Sequence, residues 1–158
     1  MSKTTPATMA LQKAGVAFEL VTYAYDPNAD RIGLQAAEAL GVAPQAVLKT
    51  LMAEVDGKPV CVVVPSDREV SMKKLAAAFG GKSGQMMKPA DAERQTGFKV
   101  GGISPFGQKR KVPTALEVLA LEQSRVFING GQRGLQVKLA PGDACAALDA
   151  RAISLIAE

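Results

Sequence analysis

A lysine and a pair of adjacent glycines are the residues of this chain best suited to do chemistry. Lys49 lies inside the apolar run Val47–Leu51 (VLKTL), next to Thr50. Strand alternation puts it on the same face as Val47 and Leu51, where an ammonium needs a partner. A ligand phosphate, ester carbonyl or ribose hydroxyl would serve as that partner. So would water, if Lys49 belongs to an edge strand that it guards by snorkelling outwards. The second stretch is Gly101-Gly102-Ile103-Ser104-Pro105. Two missing Cβ atoms let the backbone turn sharply and lie against a neighbour. Pro105 holds Ser104 extended, and Gly107 restores freedom after Phe106. Lys109, Arg110 and Lys111 follow directly. A bare amide surface beside three cations suits a ligand with phosphate and a carbonyl or hydroxyl. The same pattern also fits a tight connection followed by a solvated charge run.

Other chemistry is narrowed by what is missing. The chain has no histidine, so a Ser/His or Cys/His couple, a His-bound zinc and an imidazole base are ruled out. Cys61 and Cys145 sit in apolar surroundings and read as reduced, buried thiols. The carboxylates are scattered, with no readable acid/base pair. Gly130-Gly131-Gln132-Arg133-Gly134 presents either amides and Arg133 to an anion or an ordinary glycine hairpin. Tyr23, closing an apolar run, either offers its hydroxyl to a ligand or is core with a wet tip. Neither glycine loop has the spacing of a P-loop or a dinucleotide fingerprint. Catalysis here must rest on positioning, hydrogen-bond donors, a lysine or the substrate's own groups.

The elements that position these residues follow from local signals. Thr5-Pro6 opens a helix that Gly15 stops. Val16–Tyr23 reads as a strand, 24–31 as a polar loop turning at Asp26-Pro27-Asn28, and Gly33–Leu40 as a helix ended by Gly41. A turn at Pro44–Ala46 leads into Val47–Val55 and Lys58–Pro65, which flank Asp56-Gly57, a strong hairpin signal. Val60–Val64 has no polar alternation and predicts a central strand buried on both faces. Ser71 caps a helix to Phe79, and Pro89–Gln95 forms another, stopped by Gly97. Thr114–Leu121 is ambiguous between helix and strand. Arg125–Asn129 and Leu135–Leu139 are strands, Asp143–Ala150 is a helix, and Ile153–Ile156 is a last edge strand.

At 158 residues, 47% apolar and 22% charged, the chain fits one α/β domain, 1–158, built on a curved, mixed, largely antiparallel sheet. The net charge of +4 favours anionic partners. No apolar run is long enough to span a bilayer and the N-terminus lacks the order of a signal peptide, so no membrane partner and a cytoplasmic location are expected.

Four segments together resemble the YbaK/EbsC family of trans-acting aminoacyl-tRNA deacylases, related to the editing domain inserted in bacterial prolyl-tRNA synthetases. They are TYAYDP at Thr22–Pro27, VLKTL at Val47–Leu51, TGFKVGGISPFGQKRKVPT at Thr96–Thr114 and GGQRGLQVKLAPGD at Gly130–Asp143. Within the family the likeness is greatest to its Cys-tRNA(Pro) deacylases. The resemblance implies hydrolysis of the ester joining a wrong amino acid, cysteine first, to the 3′ adenosine of tRNA(Pro). Alanine, serine or threonine as the amino acid removed, or a binding module without catalysis, are the alternatives. It places the essential lysine on Lys49 beside Thr50, and the floor of the site on Gly101, Gly102 and Ile103, leading to Ser104 and Pro105. Tyr23 takes the place of the pocket tyrosine, with the turn at Gly130, Gly131 and Arg133 on the substrate side. Ile32 stands where a family member has an aromatic pocket residue, and Gln136 where it has an acid. The implied fold is a mixed sheet approaching a barrel with helices around it. The implied partners are the tRNA(Pro) acceptor end and prolyl-tRNA synthetase; no cofactor and no metal are expected. Lys49 and the Gly101–Ser104 bend are expected to face each other across one cleft.

Overall fold

The computed structural model describes residues 4–28 and 32–158, with only the backbone of Ile32 and Gly33. In chain order the elements are α1 (Pro6–Lys13), β1 (Glu19–Thr22), α2 (Ile32–Leu40), β2 (Val47–Val55), β3 (Lys58–Pro65), α3 (Met72–Ala78) and β4 (Gly84–Met86). They continue as α4 (Pro89–Thr96), β5 (Thr114–Glu117), β6 (Val126–Asn129), β7 (Leu135–Leu139), α5 (Pro141–Leu148) and β8 (Arg151–Ile153). All eight strands join one sheet in the order β1-β7-β6-β2-β3-β5-β8, with β4 added to β2. Four pairings are antiparallel and three parallel. The sheet stays open: β1 pairs only with β7 and the three-residue β8 only with β5, so the expected approach to a barrel stops short of closure.

Local chemistry sets most boundaries. Thr5 caps α1 by accepting from the Thr8 N–H, and Pro6 fits the first turn. Asp56 (φ 50°) and Gly57 (φ 81°) make the tight β2–β3 hairpin. Ser71 caps α3 by accepting from Lys74 N–H, and Gly97 (φ 83°) ends α4 in the left-handed conformation.

Tertiary context moves the other boundaries. Only Glu19–Thr22 of the expected first strand finds a partner, in β7. Thr114–Leu121 divides, Thr114–Glu117 pairing with β3 and Val118–Glu122 winding into a 3-10 turn. The last helix starts earlier than expected because Pro141 suits a first turn, and ends earlier because Asp149 turns left-handed. The last strand falls at Arg151–Ile153 rather than Ile153–Ile156, where β5 offers its edge; Ile156 makes only an isolated bridge to Val70.

The two faces of β2 and β3 bury different sets. Leu48, Met52, Cys61 and Val63 face a core that includes Leu11, Phe106, Leu116, Ile128 and Val137. Ala53, Val55, Val60, Val62 and Val64 face a second core under α3, around Leu75. Burying a side chain of Leu75's size contributes about 2–3 kcal/mol. A smaller cluster joins Ala36 and Ala37 of α2 to Val47 and Phe127. No helix of the described residues is long and apolar enough to cross a membrane.

Two buried polar groups mark the core. Glu117 is 1% exposed, and its carboxylate accepts from the backbone N–H groups of Leu119, Leu155 and Ile156. Glu117→Ala strands those three donors and should cost about 3 kcal/mol or more, read as a lower urea midpoint at an unchanged m-value. Cys61 is fully buried, and burial pushes its thiol up to about 12, against weaker opposing contacts from Gln108 and Thr114. The unfolded thiol ionises near 9 while the folded one keeps its proton. Stability from this group is therefore present below pH 9 and should decline by about 1.4 kcal/mol per pH unit from there towards 12. Denaturation of wild type and Cys61→Val across that range should show the slope difference.

Candidate functional site

Lys49 and Thr50 are neighbours on β2 but leave it on opposite faces. Lys49 stands opposite Val64 on the α3 side, and Thr50 opposite Val63 on the side of the larger core. Lys49 and the glycine bend therefore do not face each other across one side of the sheet. They meet at an opening in the sheet instead. β6 pairs with β2 only at Val47 and Leu48, and β4 only from Ala53 to Val55. At the intervening stretch lies a cavity of about 300 Å³, lined from both sides of β2.

Six of the expected site residues line that cavity: Tyr23, Lys49, Thr50, Gly101, Ile103 and Gln136. Its walls are otherwise largely apolar and include Leu51, Met52, Met86 and Met87. Its size is at the low end for small-ligand sites, enough for an amino acid and its ester but not a whole nucleotide. Two buried oxygens in it, Thr50 Oγ1 and Gln136 Oε1, have no hydrogen-bond partner among the described residues. Buried polar atoms are rarely left so. The Tyr23 hydroxyl is pushed up, first by burial and then by Tyr25, with Gln136 opposing. It therefore keeps its proton at neutral pH and acts as a hydrogen-bonding group rather than a base. Lys49 Nζ lies 3.9 Å from Glu69 Oε1, and the Glu69 side chain is 84% exposed.

The glycine loop is braced by its neighbours. Arg133 Nε donates to the Val100 carbonyl at 2.9 Å, and its guanidinium sits over the Tyr25 ring at 5.5 Å. Asn129 Nδ2 donates to the Gly101 carbonyl at 3.2 Å, while Asn129 Oδ1 accepts from Gly131 and Gln132 N–H. Gly101 is left-handed (φ 89°) and a Cβ on it would press on the Tyr25 hydroxyl, while one on Gly102 would stand 2.9 Å from the Arg133 backbone nitrogen. The paired glycines are thus required by packing against Tyr25 and the 132–133 turn. Gly102 N–H already donates to the Lys99 carbonyl at 2.8 Å.

The remaining expected residues stand apart from the cavity. Ser104 is fully buried, its hydroxyl accepting from Phe106 N–H. Pro105 lines a different cavity of about 180 Å³ against Leu11 of α1 and Leu148 of α5. Gly130 accepts from the Thr5 hydroxyl, and Gly131 packs on Phe98, Thr5 and Ala7. Arg133 acts on the loop rather than lining the cavity. The Ile32 side chain lies outside the described residues. Lys109, Arg110 and Lys111 are exposed along the end of α4, with Lys109 and Arg110 bordering a groove that shares Met87 with the cavity. Lys74 is held by the Ile156 carbonyl at 2.9 Å and by Glu158. Sequence reasoning missed Asn129, Tyr25, Met86 and Met87. Asn before two glycines is a turn signal, and it was the one available clue; methionines read as core. Among the described residues no cluster of His, Cys, Asp or Glu could hold a metal.

Comparison with known proteins gives a consistent picture. EbsC of Enterococcus faecalis, named as a Cys-tRNA(Pro)/Cys-tRNA(Cys) deacylase, is 41% identical over 107 residues, 66% of this chain and 65% of that protein. The match thus spans just under two thirds of that relative's length. A proline–tRNA ligase of Geobacter metallireducens is 32% identical over 92 residues, covering 58% of this chain and 16% of the ligase. A crystal structure described as a trans-editing enzyme for prolyl-tRNA synthetase superposes with a TM-score of 0.85 at 22% identity, covering 97% of this chain and 96% of that one, which shows a shared fold. Residues 26–145 match the aminoacyl-tRNA editing domain, and this chain belongs to that family.

Proposed function

We propose that this protein is a trans-acting aminoacyl-tRNA deacylase that hydrolyses the ester of mischarged tRNA(Pro), Cys-tRNA(Pro) first. The observation that carries the reading is the 300 Å³ cavity that brings Lys49, Thr50, Gly101, Ile103, Tyr23 and Gln136 together. The name of EbsC and the kinship with the synthetase domain support the same chemistry.

An aminoacyl ester is an activated bond, so positioning and hydrogen-bond donors suffice without an imidazole. With Gly102 N–H taken by Lys99, the loop donors left for the developing oxyanion are the Gly101 and Ile103 amides. One such donor is worth about 10²–10³ in rate. Lys49 reaches the opening from the other face of β2, where it holds the terminal adenosine or its ester and offsets negative charge. Its pair with exposed Glu69 is worth about 1 kcal/mol or less, so the ammonium can exchange that partner for substrate. The attacking group is a bound water or the substrate's own thiol. With water, an oxygen–carbon bond forms at the acyl carbon, the bond to the ribose oxygen breaks, and that oxygen leaves with a proton as the free hydroxyl; with the thiol, a sulfur–carbon bond forms instead, the ribose oxygen leaves with the thiol's proton, and the cyclic thioester released is opened by water. The acceptor strand follows exposed Lys109, Arg110 and Lys111, so binding should weaken with salt. Identity of the tRNA comes from association with prolyl-tRNA synthetase, in the cytoplasm.

Lys49→Ala should abolish release of radiolabelled cysteine from Cys-tRNA(Pro) at substoichiometric protein while leaving the circular dichroism spectrum and melting temperature in place. Wild-type turnover by that variant would defeat this reading. A panel of Ala-, Ser- and Thr-charged tRNAs in the same assay identifies the amino acid removed, and binding without turnover in wild type would mark a non-catalytic module. Glu69→Gln should change stability by less than about 1 kcal/mol and leave deacylation in place.

A further inference from the structure

Strand β2 is bordered along one edge by two different strands. β6 runs parallel to it through Val47 and Leu48, and β4 runs antiparallel from Ala53. Between them, residues 49–52 have no strand beside them on that edge among the described residues. The direction of the backbone groups follows from two hydrogen bonds. The Val47 carbonyl accepts from Ser66 N–H, just beyond the end of β3, at 2.8 Å; the Met52 carbonyl accepts from Met87 N–H, on the β4 side, at 3.1 Å. Backbone groups alternate edges from residue to residue along a strand. Thr50, two residues before Met52, therefore turns both its N–H and its carbonyl into the opening. The buried hydroxyl of the same residue also has no hydrogen-bond partner among the described residues. A donor and an acceptor left open beside apolar walls are costly unless something meets them.

We propose that an aminoacyl group completes the sheet there as a strand one residue long. Its α-ammonium donates to the Thr50 carbonyl, and its ester carbonyl accepts from Thr50 N–H. An α-amino acid carries its donor and acceptor with the spacing of a peptide residue, which is the pair a strand residue exchanges with an antiparallel neighbour. That sense of pairing sets the acyl carbon towards Asn129 and the Gly101 loop, and the ammonium towards Met52 and Met87. The main chain of Thr50 thereby reads what all amino acids share, and Tyr23, Gln136 and the methionine wall are left to meet the side chain. The inference rests on the reading of the cavity as an aminoacyl-ester site.

The test uses ¹⁵N-labelled wild-type protein and 3′-deoxy-3′-(L-alanylamido)adenosine, whose amide resists hydrolysis, with the propanoylamido analogue lacking the ammonium as control. The alanyl compound should slow Thr50 amide hydrogen exchange by about tenfold or more, and the propanoyl compound should bind about tenfold more weakly. If the Tyr23 and Gln136 resonances shift on binding while Thr50 N–H exchanges at its free rate, or if the two compounds bind equally, the strand-like pairing is overturned and the site stands. If no cavity resonance moves at saturating compound, both the pairing and the site reading fall.

Discussion

The outer edge of β2 is shared by two strands that do not meet. β6 leaves at Leu48 because its chain turns away at Asn129, whose side chain caps the amides of the Gly131–Gln132 turn. β4 starts opposite Val55 after the Lys82–Ser83 turn capped by Asp56, and ends opposite Ala53, where Met87 and Lys88 lead into α4 at Pro89. A sheet cannot leave buried backbone groups unpaired at small cost. An interrupted edge inside the fold must therefore be wet or occupied, and this one opens into the cavity that collects Lys49, Thr50, Tyr23, Gly101, Ile103 and Gln136.

Everything near the opening is arranged to keep it open and shaped. Gly101 and Gly102 let the loop lie against Tyr25 and the 132–133 backbone, and Arg133 and Asn129 tie it down through the Val100 and Gly101 carbonyls. The Glu93 carboxylate adds a third tether by accepting from Val100 N–H at 2.8 Å, and none of the three uses the Gly101 or Ile103 N–H. On the far side of β2, Lys49 is kept near the opening by a partner too exposed to bind it firmly. Cys61, fully buried with its thiol pushed up to about 12, is part of the core and no rival nucleophile.

Fold and site were legible in the sequence to different depths. The Asp56-Gly57 hairpin, the Ser71 cap and the Gly97 stop depend on single residues whose backbone preferences act locally, so they read directly. β4 is invisible beforehand: Gly84–Met86 has no alternation, and it is a strand only because β2 offers an edge. The same dependence on a partner shortened β1 and moved β8. At the site, motif likeness picked out loops that reach one cavity, but not which of their residues line it. Ser104, Gly130, Gly131 and Arg133 belong to those loops and spend their polar groups or their space on bracing. That Lys49 and Thr50 reach one cavity from opposite faces depends on the gap between β6 and β4, which is set by strands far apart in the chain.

The most direct test of the central claim is a crystal structure of the protein with a non-hydrolysable 3′-aminoacylamido adenosine. The aminoacyl group is expected between β6 and β4, against residues 49–52, with the adenosine extending outwards past Lys49. Density for the compound in the open groove lined by Lys58, Arg110 and Arg151 instead, with the β2 opening holding only water, would contradict it.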